Sequence, residues 1–409
     1  MRFLWFVFLP VLILAACASP REDAPIVIRA PGSATPPSPA EPPAGTPREL
    51  SARFADLPGW DLAGIEAPLS AFKRSCLKID PRPDTDLLDG DAPWAGYVHE
   101  WRPACEAVDA ATDDASARHI LERIFSPVEI TAPDGSSKFT GYFEPTYQAR
   151  YTPTPPYTEP VPAMPDDLVI TGGKPMQKLP GGALRPYPER SVITSSGVRA
   201  MAYAHPADVF FLQIQGSGRL VFPDGTTIRA AYGANNGHPF GSTANWLMET
   251  RRIERGEATM QGIRAWMDRA GPQETRLAMN QNPRFVFFRP LPEGDPALGP
   301  EGAQGVPLTP LGSMAVDTSI HPLGAPMYVT THSPGLGGDW AGMLVAQDTG
   351  GAIKGPVRGD IYFGTGAQAG ERAGVTNAPG RLWVFLPKAV AARMRAPVVT
   401  GTAYQPVSP

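Results

Sequence analysis

The order of hydrophobic and polar residues divides the chain into an early helical part and a later β-rich part. Apolar residues recur with helical spacing in residues 62–79 and again in residues 103–125. After Phe125 the apolar runs become short and are separated by turn signals such as Asp134-Gly135. The pattern therefore predicts a mainly β protein that carries a few helices.

Two segments of the β-rich part have predictions of their own. Residues 209–221 form an apolar run between Pro206 and Pro223, and we expect two strands joined at the Gly-Ser-Gly of residues 216–218. Residues 246–270 have helical spacing instead. Further strands are expected at residues 285–288, 327–330, 344–346, 361–363 and 381–386.

The N-terminus predicts export and attachment to a membrane. Met1–Cys17 has one arginine before an apolar run that is too short to span a bilayer, which fits a signal peptide. Its Leu-Ala-Ala-Cys ending resembles a bacterial lipobox, in which the thiol of Cys17 receives the lipid. The alternative is an ordinary signal peptide with an incidental cysteine. Ala18 favours the periplasmic face of the outer membrane, and the proline-rich segment Ala18–Arg48 fits an extended tether.

Composition limits the classes of function. About 360 residues follow the tether, which suggests two domains, and the net charge of −4 gives no basic surface for nucleic acid. Cys76 and Cys105 either pair in an oxidising periplasm or remain buried thiols. The six histidines are scattered without metal-ligand spacing, and residues 364–370 lack the spacing of a dinucleotide loop. We therefore expect no metal and no cofactor.

Two aspartates are the main candidates for chemistry. Asp348 and Asp360 each lie at the edge of an apolar run, and the loop between them contains several glycines. A carboxylic acid whose pKa is raised by apolar walls or by a second carboxylate can protonate a glycosidic oxygen. The pair therefore suits acid–base chemistry on a sugar polymer, although either residue alone is also typical of a turn. Their spacing does not decide which one is the acid.

Aromatic and amide side chains indicate a surface for sugars. The segment 141–147 combines aromatic residues with a glutamate, and the segment 213–218 combines two glutamines with Ser217. Aromatic faces and amide groups match the apolar faces and hydroxyl groups of sugars. The same alternation also fits an ordinary strand in a protein core.

Taken together, these segments resemble the membrane-bound lytic murein transglycosylase A family. The resemblance runs in order from about Tyr142 to Pro387 and agrees with the lipobox. The matching pieces are GYFEP (141–145), DVFFLQIQGSGRL (208–220), AYGANNGHPFGS (231–242), NPRFVFFR (282–289), PLTPLGSMAVD (307–317), AQDTGGAIKGPVRGDIYFGTGAQAGERAG (346–374) and GRLWVFLP (380–387).

The resemblance implies a fold of two β-rich domains with a glycan groove between them. Residues 49–127 and 281–390 would form a double-psi β-barrel domain with N-terminal helices, and residues 128–280 an inserted second β-rich domain. Residues 391–409 would be a C-terminal tail. The implied substrate is peptidoglycan, and no nucleic acid is expected; partners in cell-wall synthesis or division stay open.

The implied reaction cleaves the β-1,4 bond between N-acetylmuramic acid and N-acetylglucosamine without water and leaves a 1,6-anhydro end. Asp360 matches the family's catalytic aspartate, whereas Asp348 and Asp317 match its other acidic positions. The residues expected in the groove are Tyr142, Glu144, Gln213, Gln215, Ser217 and Lys354. A hydrolytic muramidase that uses Asp348 and Asp360 as a pair, and a lipoprotein that only binds peptidoglycan, are the alternatives.

Overall fold

The computed structural model describes residues 53–395, so the predictions for the signal peptide, Cys17 and the tether lie outside the described residues. Within these residues no helix is both long and apolar enough to cross a membrane. The fold there is mainly β with some helices, which confirms that prediction. The α-helices are α1 Glu66–Ile79, α2 Val98–Asp109, α3 Asp114–Ile124, α4 Arg190–Ser196, α5 Pro206–Gln215, α6 Thr243–Glu249, α7 Met260–Met279, α8 Ala367–Gly374 and α9 Lys388–Arg395.

The strands of the described residues form three sheets. Their bounds are β1 Phe125–Ile130, β2 Lys138–Glu144, β3 Thr146–Arg150, β4 Glu159–Pro162, β5 Leu168–Thr171, β6 Lys174–Lys178, β7 Leu184–Pro186, β8 Ala200–Ala204, β9 Gly218–Val221, β10 Thr227–Asn235, β11 Val286–Pro292, β12 Ser313–Val316, β13 Pro326–Ser333, β14 Gly338–Thr349, β15 Arg358–Thr365, β16 Asn377–Ala378 and β17 Gly380–Pro387.

The largest sheet has eight strands in the order β1-β17-β13-β14-β12-β15-β2-β16. It joins the early strands β1 and β2 to the strands of the C-terminal part of the chain. Most neighbouring strands are antiparallel, but β12 runs parallel to β14, and β15 runs parallel to β2. Because parallel pairs need crossover connections, this sheet brings together segments that are distant in sequence.

The chain between β2 and β12 forms the other two sheets. Six strands pair in the order β11-β10-β9-β3-β8-β4, and three pair in the order β5-β6-β7. Sheet membership differs from the expected insertion at residues 128–280. Strands β1 and β2 belong to the eight-stranded sheet because they pair with β17 and β15, whereas β11 belongs to the six-stranded sheet because it pairs with β10.

Helices α1 and α2 pack on the eight-stranded sheet and are linked by a disulfide. Phe72 on α1 and Trp101 on α2 are fully buried, and both rings contact the ring of Phe125 at the start of β1. Cys76 and Cys105 are bonded to each other, which answers the question that the sequence left open. The linked helices thus cover part of the largest core.

The two strands predicted for residues 209–221 are wrong in their first half. The chain forms helix α5 up to Gln215, and only Gly218–Val221 is a strand. His205 caps the helix, Pro206 occupies its first turn, and Gly216 ends it with a left-handed φ of 87°. The helix is buried on nearly all sides, so its sequence is a continuous apolar run without helical spacing.

Three predicted helices have different limits. The first begins at Glu66 and not near residue 62. The segment 103–125 belongs to two helices, because the Asp113 side chain accepts a hydrogen bond from the Ser116 N–H and starts α3 anew. The segment 246–270 is also divided, since Thr259 caps the start of α7. In each case a local cap sets the boundary.

Candidate active site

Asp348 and Asp360 lie in one row of the eight-stranded sheet. Asp348 on β14 and Asp360 on β15 both pair with Ala315 on the strand between them, β12. Residues directly opposite each other in adjacent strands point to the same face. The two carboxylates therefore share a face, and their Cα atoms are separated by about two strand spacings, or roughly 10 Å.

A bulge brings Asp348 into this row. Met314 pairs with Ala346, but the next residue, Ala315, pairs with Asp348, so Gln347 is skipped. Gln347 is fully buried and bonds to the Ala71 carbonyl and to the Ser75 hydroxyl beneath the sheet. The extra residue re-aims the strand end, which is a common role of bulges beside functional sites.

Both aspartates border a cavity of about 260 Å³. The cavity lies between the eight-stranded sheet and the segment that carries α5, and the glycine-containing loop after β14 forms one wall. Its lining residues are Gly141, Tyr142, Gln213, Ile214, Gln215, Phe240, Asn282, Arg284, Ala315, Asp348, Thr349, Gly350, Gly351, Ala352, Ile353, Arg358 and Asp360. Apolar, aromatic, amide and charged groups thus face one another across a space suited to a sugar.

Asp360 is held by a threonine and lies near two cations. The Thr140 hydroxyl on β2 donates to Asp360 Oδ1 at 2.5 Å, because Thr140 and Asp360 are partners in the sheet. Burial raises the pKa of Asp360, while the Thr140 hydrogen bond and the charges of Arg358 and Lys138 act to lower it. The net shift is upward, which favours a carboxyl group that can hold a proton.

Asp348 is surrounded by hydrogen-bond donors. The Tyr142 hydroxyl donates to Asp348 Oδ2 at 2.9 Å, and the backbone N–H groups of Ala303 and Thr349 donate to Oδ1. Burial raises the pKa of Asp348 to about 6 in spite of these donors, and the charge of Asp360 adds to the rise. Burial likewise raises the pKa of Tyr142, so its hydroxyl remains a donor.

Asp317 does not line the cavity but anchors its glycine-containing loop. Its carboxylate accepts hydrogen bonds from the Gly355 N–H at 3.0 Å, from Lys354 Nζ at 3.0 Å and from the Ser319 hydroxyl at 2.8 Å. Burial acts to raise the pKa of Asp317, but these hydrogen bonds outweigh it and the pKa lies below its ordinary value. Lys354 points to Asp317 and is also absent from the lining.

The remaining predicted groove residues separate into two groups. Tyr142, Gln213 and Gln215 line the cavity, although Gln213 is 5% exposed and already bonded to Arg190 and to the Val286 carbonyl. Glu144 and Ser217 do not line it.

Glu144 lies instead at the junction of the two large sheets. It is fully buried and accepts hydrogen bonds from Arg219 Nε at 3.0 Å and Arg229 Nε at 2.6 Å, on strands β9 and β10, and from the Thr365 hydroxyl. Buried charges need such partners. The acid therefore ties β2 to the six-stranded sheet.

The sequence analysis missed Thr140, Arg284 and Phe240. Thr140 contacts Asp360 through strand pairing without lining the cavity, whereas Arg284 and Phe240 line it. Arg358 also lines the cavity, and it donates to the Thr140 hydroxyl. Arg284 and Phe240 belong to segments that carry the family resemblance, but their types alone did not distinguish them from surface residues. Among residues 53–395, no group of three or more His, Cys, Asp or Glu side chains is placed to hold a metal ion.

Two half-buried carboxylates of this mainly β fold face one cavity, which is an arrangement that suits acid–base chemistry on glycans. A model of the MltA specific insert domain matches residues 138–289, and a model of the 3D domain matches residues 312–386. The chain belongs to the membrane-bound lytic murein transglycosylase A family.

Relatives support this membership. The membrane-bound lytic murein transglycosylase A of Escherichia coli is 35% identical over 260 residues, which cover 61% of this chain and 66% of that protein. The match thus spans slightly less than two thirds of the curated relative. The crystal structure of MltA from Neisseria gonorrhoeae, in its monoclinic form, has a TM-score of 0.70 at 30% identity and covers 84% of this chain and 95% of its own. E. coli MltA with bound chitohexaose has a TM-score of 0.58 at 28% identity, covering 80% and 91%.

Proposed function

We propose that this chain is a peptidoglycan lytic exotransglycosylase that cleaves the β-1,4 bond between N-acetylmuramic acid and N-acetylglucosamine. The observation that carries the proposal is the pair of carboxylates on one face of the sheet, both with a pKa raised by burial, in a cavity lined for sugars. The family membership and the chitohexaose bound to the E. coli relative support the same substrate class.

In the proposed reaction, Asp360 first donates one proton as the acid and then accepts one proton as the base. Its carboxyl group gives a proton to the glycosidic oxygen as the bond from that oxygen to the muramoyl C1 breaks. The 6-hydroxyl oxygen of the same muramoyl sugar bonds to C1, and its proton returns to the Asp360 carboxylate. No water enters, and the product is a 1,6-anhydro end. Because the nucleophile is intramolecular, one carboxyl group suffices for a step that otherwise needs two.

Asp348 and Asp317 have supporting roles in this proposal. Asp348 orients the Tyr142 hydroxyl and contributes negative charge beside the reacting carbon, which gains positive charge in the transition state. Asp317 holds the loop that bears Gly355 and so keeps one wall of the groove in place. Tyr142, Gln213 and Gln215 are the predicted groove residues that fit substrate contact. Glu144 and Lys354 form ion pairs and fit structural roles, and Ser217 lies outside the cavity lining.

The domain and membrane assignments remain part of the proposal. We assign the eight-stranded sheet to the double-psi β-barrel domain and the six- and three-stranded sheets to the inserted domain. Sheet membership favours an insertion from about Pro145 to about Pro292. Lipidation of Cys17 after cleavage of the signal peptide, with the tether that follows, would hold the domains at the periplasmic face of the outer membrane.

Muropeptide analysis of digested sacculi tests the function directly. The parent protein is expected to release products with 1,6-anhydro ends, which are lighter by one water than hydrolytic products, and Asp360→Asn is expected to release none. Hydrolytic products would identify a muramidase that uses the two aspartates as a pair. Retention on sacculi without any release would identify a binding protein and overturn the proposal.

A further inference from the structure

The side chain of Arg358, the first residue of β15, belongs to the same face of the strand as Asp360, which follows two residues later. Arg358 is 9% exposed, and its Nη2 donates to the Thr140 hydroxyl oxygen at 2.9 Å. Its Nη1 donates to the backbone carbonyls of Lys138 and Gly359. Three acceptors therefore fix the guanidinium group, and its fork geometry fits the edge formed by β2 and β15.

A hydroxyl group has one proton to donate and lone pairs to accept with. Since Arg358 has no acceptor to offer, the Thr140 oxygen must accept from it. The Thr140 proton is then directed to Asp360 Oδ1, the only other polar side-chain atom hydrogen-bonded to this hydroxyl within residues 53–395. The two hydrogen bonds are therefore donated in one direction, from Arg358 to Thr140 and from Thr140 to Asp360.

We propose that Thr140 and Arg358 are positioning residues for the proton shuttle: Thr140, oriented by Arg358, occupies Oδ1 of Asp360 and leaves its other oxygen to exchange the proton with substrate. This inference rests on the proposed function, because it gives Asp360 a proton to exchange. It assigns to the pair a second effect as well: the donated hydrogen bond and the nearby cation stabilise the carboxylate form against burial.

The charged and titratable groups around Asp360 come from three strands. A variant of Thr140 removes none of these groups, although it takes away one of the three acceptors of Arg358. These groups are Lys138 and Tyr142 on β2, Asp348 on β14 and Arg358 on β15 itself.

The test compares the pH dependence of kcat/KM for the release of anhydro-muropeptides. Since Asp360 must be protonated in the free enzyme, activity falls at alkaline pH as it ionises. Thr140→Val removes the hydroxyl at nearly constant volume, so the pKa of Asp360 rises. We expect the alkaline limb to move up by about one pH unit and kcat to fall by roughly tenfold or more. Thr140→Ser keeps the hydroxyl and should restore the parent limb.

Arg358→Gln provides a second, independent variant. It removes the cation and frees the Thr140 hydroxyl to turn away, so the limb should move in the same direction. In a protein that already carries Thr140→Val, Arg358→Gln should lower kcat less than it does alone, because the effects of coupled residues do not add. Arg381→Gln, at an exposed arginine on β17 that is paired with Glu129 on β1, is the matched control and should leave the profile unchanged.

The outcomes separate the two proposals. If Asp360→Asn is inactive while folded Thr140→Val and Arg358→Gln keep the parent rate and limb, the positioning role is overturned and the proposed function stands. If kcat falls without a shift of the limb and Thr140→Ser does not restore it, the residues are merely structural and the role is again overturned. If Asp360→Asn keeps the parent rate, the proton shuttle itself fails. Near-UV circular dichroism establishes whether each variant is folded. If Thr140→Val does not fold, the result for Arg358→Gln alone decides between these outcomes.

Discussion

Asp348 and Asp360 stand on opposite sides of Ala315 in a single row of the eight-stranded sheet. This relationship gives the two carboxylates a common face but different surroundings. Asp360 has one hydroxyl donor and cations nearby, whereas Asp348 has three donors, one of which is the Tyr142 hydroxyl. Two like groups in different environments are a common way to divide catalytic roles.

The first prediction concerns the division of roles. Asp360→Asn should lower kcat by about a thousandfold or more, since the reaction loses its acid and base together. Asp348→Asn should lower kcat by roughly tenfold to a hundredfold and retain the anhydro product, because it removes charge and not the proton shuttle. Quantified release of anhydro-muropeptides checks both. If Asp348→Asn were the inactive variant, the roles would be exchanged.

The raised pKa of Asp348 predicts a pH effect on stability. The folded protein binds this proton more tightly than the unfolded chain, so the free energy of unfolding falls as the pH rises from about 4 to about 6. Asp348→Asn removes this pH-dependent loss. The difference in the free energy of unfolding between variant and parent should therefore shift in favour of the variant by on the order of 1 to 3 kcal/mol from pH 4 to pH 7. Urea unfolding at both pH values measures it, with Asp166→Asn, at a 91% exposed side chain, as the control.

Asp317 should show the opposite sign. Its pKa is lowered in the folded protein, so its contribution to stability is present at neutral pH and is lost as the pH falls through the folded pKa. Asp317→Asn should cost about 1 to 3 kcal/mol at pH 7 and less in acid. Hydrogen exchange should also become faster at the Gly355 amide. Lys354→Met should have a small effect, because the lysine side chain is 62% exposed.

Glu144 should govern stability and not catalysis. Glu144→Gln leaves two buried arginines without their shared carboxylate, and breaking such a buried pair costs about 3 to 5 kcal/mol. Glu293→Gln is the matched control, since this glutamate bonds to Arg219 but is 38% exposed. Denaturant unfolding gives both values. If a Glu144→Gln protein were as stable as the parent yet had lost substrate binding, Glu144 would instead be a substrate-contacting residue of the groove.

Local patterns in the sequence were enough for part of this site. Asp348 and Asp360 stood out because each lies at the edge of an apolar run, and the mainly β character followed from the short runs after Phe125. The partners of these acids could not be found in the same way. Thr140 and Asp360 are 220 residues apart, and only the parallel register of β2 and β15 brings them together.

Polarity also misled the prediction where a charge has a distant partner. Glu144 and Lys354 looked available for substrate, yet Arg219, Arg229 and Asp317 occupy them. These ion pairs depend on tertiary packing and leave no local signal. Helix α5 was missed for a related reason, since burial on nearly all sides erased the helical spacing that identifies a helix.

Arg284 provides the last prediction, which concerns recognition of the muramoyl sugar. It lines the cavity beside Gly351, and among the described residues it forms no ion pair; its Nη1 donates only to the His238 carbonyl at 3.4 Å. A guanidinium group facing a glycan groove suits the lactyl oxygens of a muramoyl residue.

Arg284→Met should therefore raise KM for peptidoglycan strands by roughly tenfold with little change in kcat. Its effect on the binding of an uncharged chitooligosaccharide should be smaller, because that sugar has no lactyl group. Calorimetry with both ligands and steady-state kinetics measure these effects. Arg289→Met, at an exposed arginine outside the cavity, is the control. Equal losses for both ligands would show that the arginine shapes the groove without selecting the muramoyl sugar.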